Sequence, residues 1–296
     1  MITRFAPSPT GYLHLGHVVN AIYVWGLARA GNGRVLLRIE DHDRLRSRRS
    51  FEDAIVEDLG WLGFVPDAPL RRQSDHDAAY RDALARLQAT HHVYACDCSR
   101  KEIARLRHEA ATAGQGGEWY PGRCRHRRLR PGDDVKRGLG IRVRLDDAPE
   151  RFDDMALGPI AQIPAEQCGD LLLKDRDGHW TYQFAVTVDD VNDGVDVVIR
   201  GLDLLSSTGR QIKLARMLGR TEPPRYFHHP LILRPDGGKL SKASGDTGVR
   251  DLRAADVGPG MVIGLAATAV GLLPRPRPLD AATAGALAAA TGGGRP

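Results

Sequence analysis

RFAPSPTGYLHLGH, residues 4–17, sits between a short apolar segment (ITRFA, 2–6) and a helical pattern that places Val18, Ile22, Trp25 and Ala28 on one face. Two glycines, Gly31 and Gly33, end that pattern, and VLLRIE (35–40) follows as a short apolar run typical of a buried parallel strand. Further helices are predicted to start at Ser50, Ser74 and Ser99, each with an acid three residues on (Asp53, Asp77, Glu102). Strand, helix, strand, helix from the first residue predicts an α/β fold with a doubly wound, Rossmann-like parallel sheet. Residues 4–17 then lie where a first strand ends and a helix begins. Backbone N–H groups and the helix dipole favour an anion there. Gly11 and Gly16 let the backbone approach it, and His14 and His17 can both point N–H donors at one phosphate.

Outward from this half, residues 96–170 break the rhythm with three cysteines, a Gly-rich loop (GQGGEWYPG), an arginine cluster and an alternating strand, IRVRL (141–145). They are expected to form an inserted, zinc-bearing α+β subdomain. The α/β pattern resumes with LLLK (171–174), WTYQFAVTVDD (180–190) and VDVVIRG (195–201), and then a helix with Ile212, Ala215, Met217 and Leu218 on its apolar side. The expected organisation is a catalytic domain in two parts, 1–95 and 171–245, interrupted by 96–170. A short helical segment and tail, 246–296, would follow. Residues 279–296 are nearly all Ala, Gly, Thr and Pro, which predicts a frayed end.

Composition narrows the class. The chain has 296 residues, 42% apolar and 27% charged, and no apolar stretch reaches the roughly 18 residues of a membrane span. MITRFAPSPT is not a secretory leader, so a cytoplasmic protein with no membrane partner is expected. A formal charge of +5 is compatible with nucleic acid without selecting it. Of 42 basic residues only six are lysine, yet Lys239 and Lys242 fall within one four-residue run. A compact ammonium is wanted there.

The segment ending in His14-Leu-Gly-His17 resembles the HIGH signature of class I aminoacyl-tRNA synthetases, and RFAPSPTGxLHxGH is similar to the glutamyl side of the glutamyl/glutaminyl branch. Lys239-Leu-Ser241-Lys242-Ala resembles the second signature, KMSKS. The resemblance implies an ATP site at His14, Gly16, His17, Lys239, Ser241 and Lys242, with His14, His17 and Lys242 as the catalytic groups. An ammonium there neutralises the departing pyrophosphate, and Mg²⁺ bridges the phosphates.

An acidic amino acid needs a guanidinium for its side chain and an acid for its amino group. RIEDHD (38–43) supplies Glu40, Asp41 and Asp43 at a strand's C-terminal end and resembles the family's RIEDTD, which gives Glu40 the amino group. WTYQFAVTVDD and VVIRGLDLLSSTGRQ are similar to two further family segments. They imply a glutamate site of Arg4, Phe5, Ala6, Pro7, Ser8, Glu40, Tyr182 and Arg200. Read singly, Tyr182 is a core aromatic and Arg200 a partner for Asp203 or Asp189; four matching segments in order favour the ligand roles.

Cys96, Cys98 and Cys124 lie within 29 positions, suited to zinc, which wants a fourth ligand. The residues alone offer His126, His91, His92, His108 or Tyr120, with imidazole the commoner choice. Some family members carry a CxC…Y-x3-C site, which implies Tyr120, with His126 as the alternative. Five arginines between Arg123 and Arg130 could meet RNA phosphates or form a solvated face.

Only 53 residues follow Ala243, too few for an anticodon-reading domain together with the tail. That is similar to the glutamyl-queuosine tRNA(Asp) synthetase family, and Gln183, where full synthetases often carry His, agrees. The resemblance implies a monomeric ligase that activates L-glutamate with ATP and attaches it to queuosine in tRNA(Asp). The alternatives are a glutamyl-tRNA synthetase core acting on a tRNA 3′ end, a non-catalytic paralogue that binds RNA or amino acids, and a transferase acting on a small molecule or protein.

Overall fold

The computed structural model describes residues 1–42, 46–112, 119–232 and 248–292. Strand β1 (Ile2–Phe5) pairs in parallel with β2 (Arg34–Ile39), which pairs with β3 (Arg71–Arg72). Helices α1 (Leu15–Ala30), α2 (Arg49–Leu62) and α3 (Asp77–Thr90) follow these strands in turn. In the second half, β9 (Val197–Gly201) and β10 (Arg225–His229) pair in parallel. They flank α7 (Thr208–Met217), and α6 (Tyr182–Asn192) precedes them. The halves meet at β1 and β9, where Asp196 N–H donates to the Ile2 carbonyl (3.1 Å) and Ile2 N–H to the Asp196 carboxylate (2.6 Å). The strand ends carrying Arg4, Glu40 and Arg200 therefore face one crevice, the ordinary ligand position of such sheets.

The insertion is laid out differently from its expected boundaries. Strands β4 (Val93–Cys96), β5 (Gly140–Val143) and β8 (Leu171–Lys174) form a separate antiparallel sheet. LLLK, expected to open the second catalytic half, is thus a strand of that sheet. Conversely, β6 (Glu150–Asp154), expected within the insertion, joins the parallel sheet beside β10 and turns back through β7 (Gly158–Gln162). A short apolar run does not reveal which sheet it enters. Helices α4 (Arg100–Thr112) and α5 (Pro164–Cys168) complete the insertion.

One of the three predicted helix starts holds as read: the Ser99 hydroxyl accepts from Glu102 N–H at 3.1 Å. Helix α2 begins one residue before Ser50, with Arg48 as its cap. Ser74 falls in a 3-10 turn ahead of α3, because its N–H donates to the Asp41 carboxylate (2.8 Å). A long-range acceptor outcompetes the local cap.

The expected frayed end is corrected by the structure. After α8 (Val249–Ala254) and α9 (Pro259–Ala269), residues Ala281–Gly292 form α10, which lies against α1 with Ala284 and Ala288 fully buried. Low complexity here is close packing. Alanine favours the helix, and glycines on both helices let the backbones touch. A Cβ on Gly26 would lie 2.3 Å from the Gly285 carbonyl oxygen. Gly26→Ala should therefore cost about 1–3 kcal/mol, read as a lower urea midpoint at unchanged slope. Gly60→Ala, where a Cβ meets nothing within 4 Å on α2, should be neutral or stabilising.

Candidate active site

His14 is the N-cap of α1, and the two histidines lock each other in place. Gly16 N–H donates to His14 Nδ1 and His14 N–H donates to His17 Nδ1, both at 3.1 Å. The rings sit 4.0 Å apart. Because each Nδ1 accepts from a backbone donor, the proton of the neutral ring resides on Nε2. Both imidazoles are thus preset as Nε2–H donors at a helix N-terminus, which suits a phosphate. Gly16 is required here, since a Cβ would lie 2.9 Å from His14 Cε1. Lys239, Ser241 and Lys242 lie outside the described residues. Val249 N–H donates to the Leu13 carbonyl (2.8 Å), so the chain re-enters beside the histidines immediately after that stretch.

The other end of the crevice is a buried charge cluster. Arg38, fully buried, reaches Asp190 at 2.7 Å and Glu40 at 3.2 Å. Arg4 meets the Asp190 carboxylate through Nε at 3.1 Å, so the terminal nitrogens of its fork are not committed to that pair. Burial pushes Asp190 up, but Arg4 and Arg38 together hold it below the usual carboxylate range. Burial also pushes Glu40 up, and there it prevails over the same two arginines. Arg38 and Asp190 stood in the quoted motifs without a role. The place of Arg38 two residues before Glu40, on the same face at the end of β2, was the available signal for Arg38; nothing local marked Asp190.

Arg200 is buried and pairs with neither Asp203 nor Asp189. Its Nε donates to His228 Nε2 (3.1 Å), and its terminal nitrogens donate to Gln211 Oε1 and Thr208 Oγ1 (2.7 Å each). All three acceptors are neutral. The guanidinium is satisfied as a donor, and among the described residues no carboxylate pairs with it. His228 can accept because its other nitrogen faces Asp154 Oδ2 at 2.5 Å, which holds the proton on Nδ1. Tyr182 feels the charges of Arg200, Glu40 and Arg4, and burial raises its phenol. Gln183 continues the same network, its carbonyl accepting from Gln211 at 3.0 Å.

Of the β1 exit, Glu40 N–H donates to the Pro7 carbonyl (3.0 Å) and Ser8 Oγ to the Glu40 carbonyl (2.9 Å), which clamps the loop onto β2. Ala6 lies between these contacts and the strand. Phe5 packs on Trp25 in the core at 5.5 Å, so its side chain is not a ligand contact.

The thiol sulfurs of Cys96, Cys98 and Cys124 lie within 4.8 Å of one another. The Tyr120 hydroxyl sits 3.4 Å from Cys96 Sγ and 3.9 Å from Cys98 Sγ. Burial and the neighbouring Cys96 push Cys98 up to about 12, a crowding that a cation relieves. His126 turns away and bonds to the Arg123 carbonyl. The arginine run is largely committed to the protein: Arg123 pairs with Glu102, Arg125 with Asp170 and Arg127 with Asp97. Arg128 and Arg130 stay exposed.

A parallel sheet with paired imidazoles at its first crossover and an acid–guanidinium crevice at its strand ends defines a nucleotide-using ligase of the class I aminoacyl-tRNA synthetase type. The family described as tRNA synthetases class I (E and Q), catalytic domain, matches residues 1–267, and the chain belongs to it. It is 46% identical over 245 residues to the glutamyl-Q tRNA(Asp) synthetase of Geobacter sulfurreducens, covering 82% of this chain and 75% of that one. It is 44% identical over 248 residues to the glutamate–tRNA ligase of Nitratidesulfovibrio vulgaris, covering 83% of this chain and 52% of the relative. The crystal structure of a glutamate tRNA ligase from Elizabethkingia meningosepticum in complex with its amino acid superposes with a TM-score of 0.74 at 27% identity. That match covers 97% of this chain and 65% of the ligase.

Asp154→Asn should turn an amide donor toward His228 Nδ1, move the imidazole proton to Nε2 and set two donors against each other at Arg200. The KM for the amino acid is expected to rise about tenfold or more, with a smaller change in kcat, in amino-acid-dependent ATP–pyrophosphate exchange.

Proposed function

We propose that this chain activates L-glutamate with ATP as glutamyl-adenylate and transfers the glutamate to queuosine in the anticodon loop of tRNA(Asp). The observation that carries the reading is Arg200, a buried cation whose partners among the described residues are all neutral, beside Arg4, Glu40 and Tyr182. A side-chain carboxylate is the anion that suits that guanidinium, and Glu40 supplies the acid for the α-amino group. The relatives named glutamyl-Q tRNA(Asp) synthetase support the choice of acceptor.

In the first step the glutamate α-carboxylate attacks the α-phosphorus of ATP and pyrophosphate leaves. The Nε2–H groups of His14 and His17 stabilise charge developing on the phosphate, and Lys242 takes the leaving side. Mg²⁺ supplies charge neutralisation on the triphosphate. In the second step an acceptor hydroxyl attacks the adenylate carbonyl and AMP leaves. Glutamate, and not glutamine, should drive ATP–pyrophosphate exchange. Nuclease mapping of labelled product should place the label in the anticodon loop; label on the 3′ nucleotide would assign the chain to conventional tRNA charging instead.

The cysteine cluster fits one structural zinc held by Cys96, Cys98, Cys124 and Tyr120. Metal analysis should find one zinc per chain, lost in Cys98→Ser, weakened in Tyr120→Phe and retained in His126→Ala. Loss in His126→Ala with retention in Tyr120→Phe would exchange the fourth ligand.

A further inference from the structure

We propose that His42 is the proton acceptor of the transfer step, receiving on Nε2 the proton of the RNA hydroxyl that attacks the adenylate. The proposal rests on the reading of the chain as a glutamate-activating, RNA-modifying enzyme.

The geometry fixes which nitrogen is the base. Gln73 Nε2 donates to Asp189 Oδ2 at 2.8 Å, so its carbonyl oxygen is the atom facing His42 Nδ1 at 2.7 Å. An acceptor oxygen there holds the ring proton on Nδ1 and leaves the lone pair on Nε2. Asp189 is fully buried and also accepts from the Tyr80 hydroxyl at 2.9 Å and contacts His76 Nδ1 at 2.8 Å. Carboxylate, amide and imidazole thus form a braced chain, the orienting arrangement a general base requires. The setting is the reverse of His14 and His17, whose Nδ1 atoms accept and whose Nε2 atoms donate.

The other groups of the crevice are poorly suited. Glu40 is held by Arg38, and Asp190 by Arg38 and Arg4. Burial keeps Tyr182 a phenol. His42 stands two residues beyond Glu40, with its ring 6.3 Å from that of Tyr182. It also lines a cavity of about 370 Å³ bounded by Ser74, Lys174, His179 and Trp180. That cavity has room for a hydroxyl-bearing ring.

The step balances as follows. The acceptor oxygen bonds to the adenylate carbonyl carbon, and its proton passes to His42 Nε2. The bond from that carbon to the phosphate oxygen breaks, AMP departs with the electron pair, and the imidazolium returns its proton to water.

The test compares two nucleophiles on the full-length protein with glutamate and ATP. Queuosine-bearing tRNA(Asp) needs a base; hydroxylamine, which traps the adenylate as glutamyl hydroxamate, does not. In His42→Ala, glutamylation of the RNA should fall about 10²–10⁴-fold more than hydroxamate formation, and added imidazole should restore part of it. His42→Asn, which keeps a donor for Gln73, should show the same selective loss. Equal loss of both products, or no loss of RNA glutamylation, overturns the assignment. If the wild-type protein makes no glutamyl hydroxamate, the glutamate reading itself falls, and the proposal with it.

Discussion

Asp190 holds two guanidiniums from the other half of the fold. It sits on α6, while Arg4 and Arg38 stand on β1 and β2, so one buried carboxylate ties the first crossover unit to the second. Glu40 is drawn in through Arg38, and Asp189 lies 3.7 Å from Arg38 Nε. Removing one member of such a cluster leaves an uncompensated buried charge, at a cost of about 3–5 kcal/mol. A hydrophobic filling would stabilise as well. What the ions provide is a crevice whose charges are fixed before any ligand arrives.

That pre-arrangement recurs at four imidazoles. His14 and His17 owe their tautomers to backbone donors at the start of α1. His228 owes its own to Asp154, and His42 to Gln73. The protein sets proton positions with neighbours that do not themselves react. The same economy of partners leaves Arg200 charged among neutral acceptors, so an anionic ligand completes the site without displacing any protein ion pair.

Much of this was legible in the chain because the chemistry-bearing segments are local. His14 and His17 follow a strand exit, Glu40 ends a β-patterned run, and the Cys96–Cys98 pair with Tyr120 and Cys124 lies within one insertion. The arginine run shows the opposite case. Its density left RNA contact and a solvated face equally open, and Arg123, Arg125 and Arg127 are engaged by Glu102, Asp170 and Asp97, acids up to 45 positions away. Local charge density cannot show where counter-ions will fold.

The sequence by itself determined the strand-to-helix turn that carries the histidines, the parallel α/β class and the set of thiols, since backbone conformation and ligand type are properties of neighbouring residues. Only the tertiary structure decided that LLLK joins an antiparallel sheet, that an Ala/Gly tail is a helix locked onto α1 through Gly26 and Gly285, and that Arg200 bonds to His228, Gln211 and Thr208 and to neither Asp203 nor Asp189. Those outcomes depend on which distant surfaces meet and how closely, and burial and charge balance are set by that meeting.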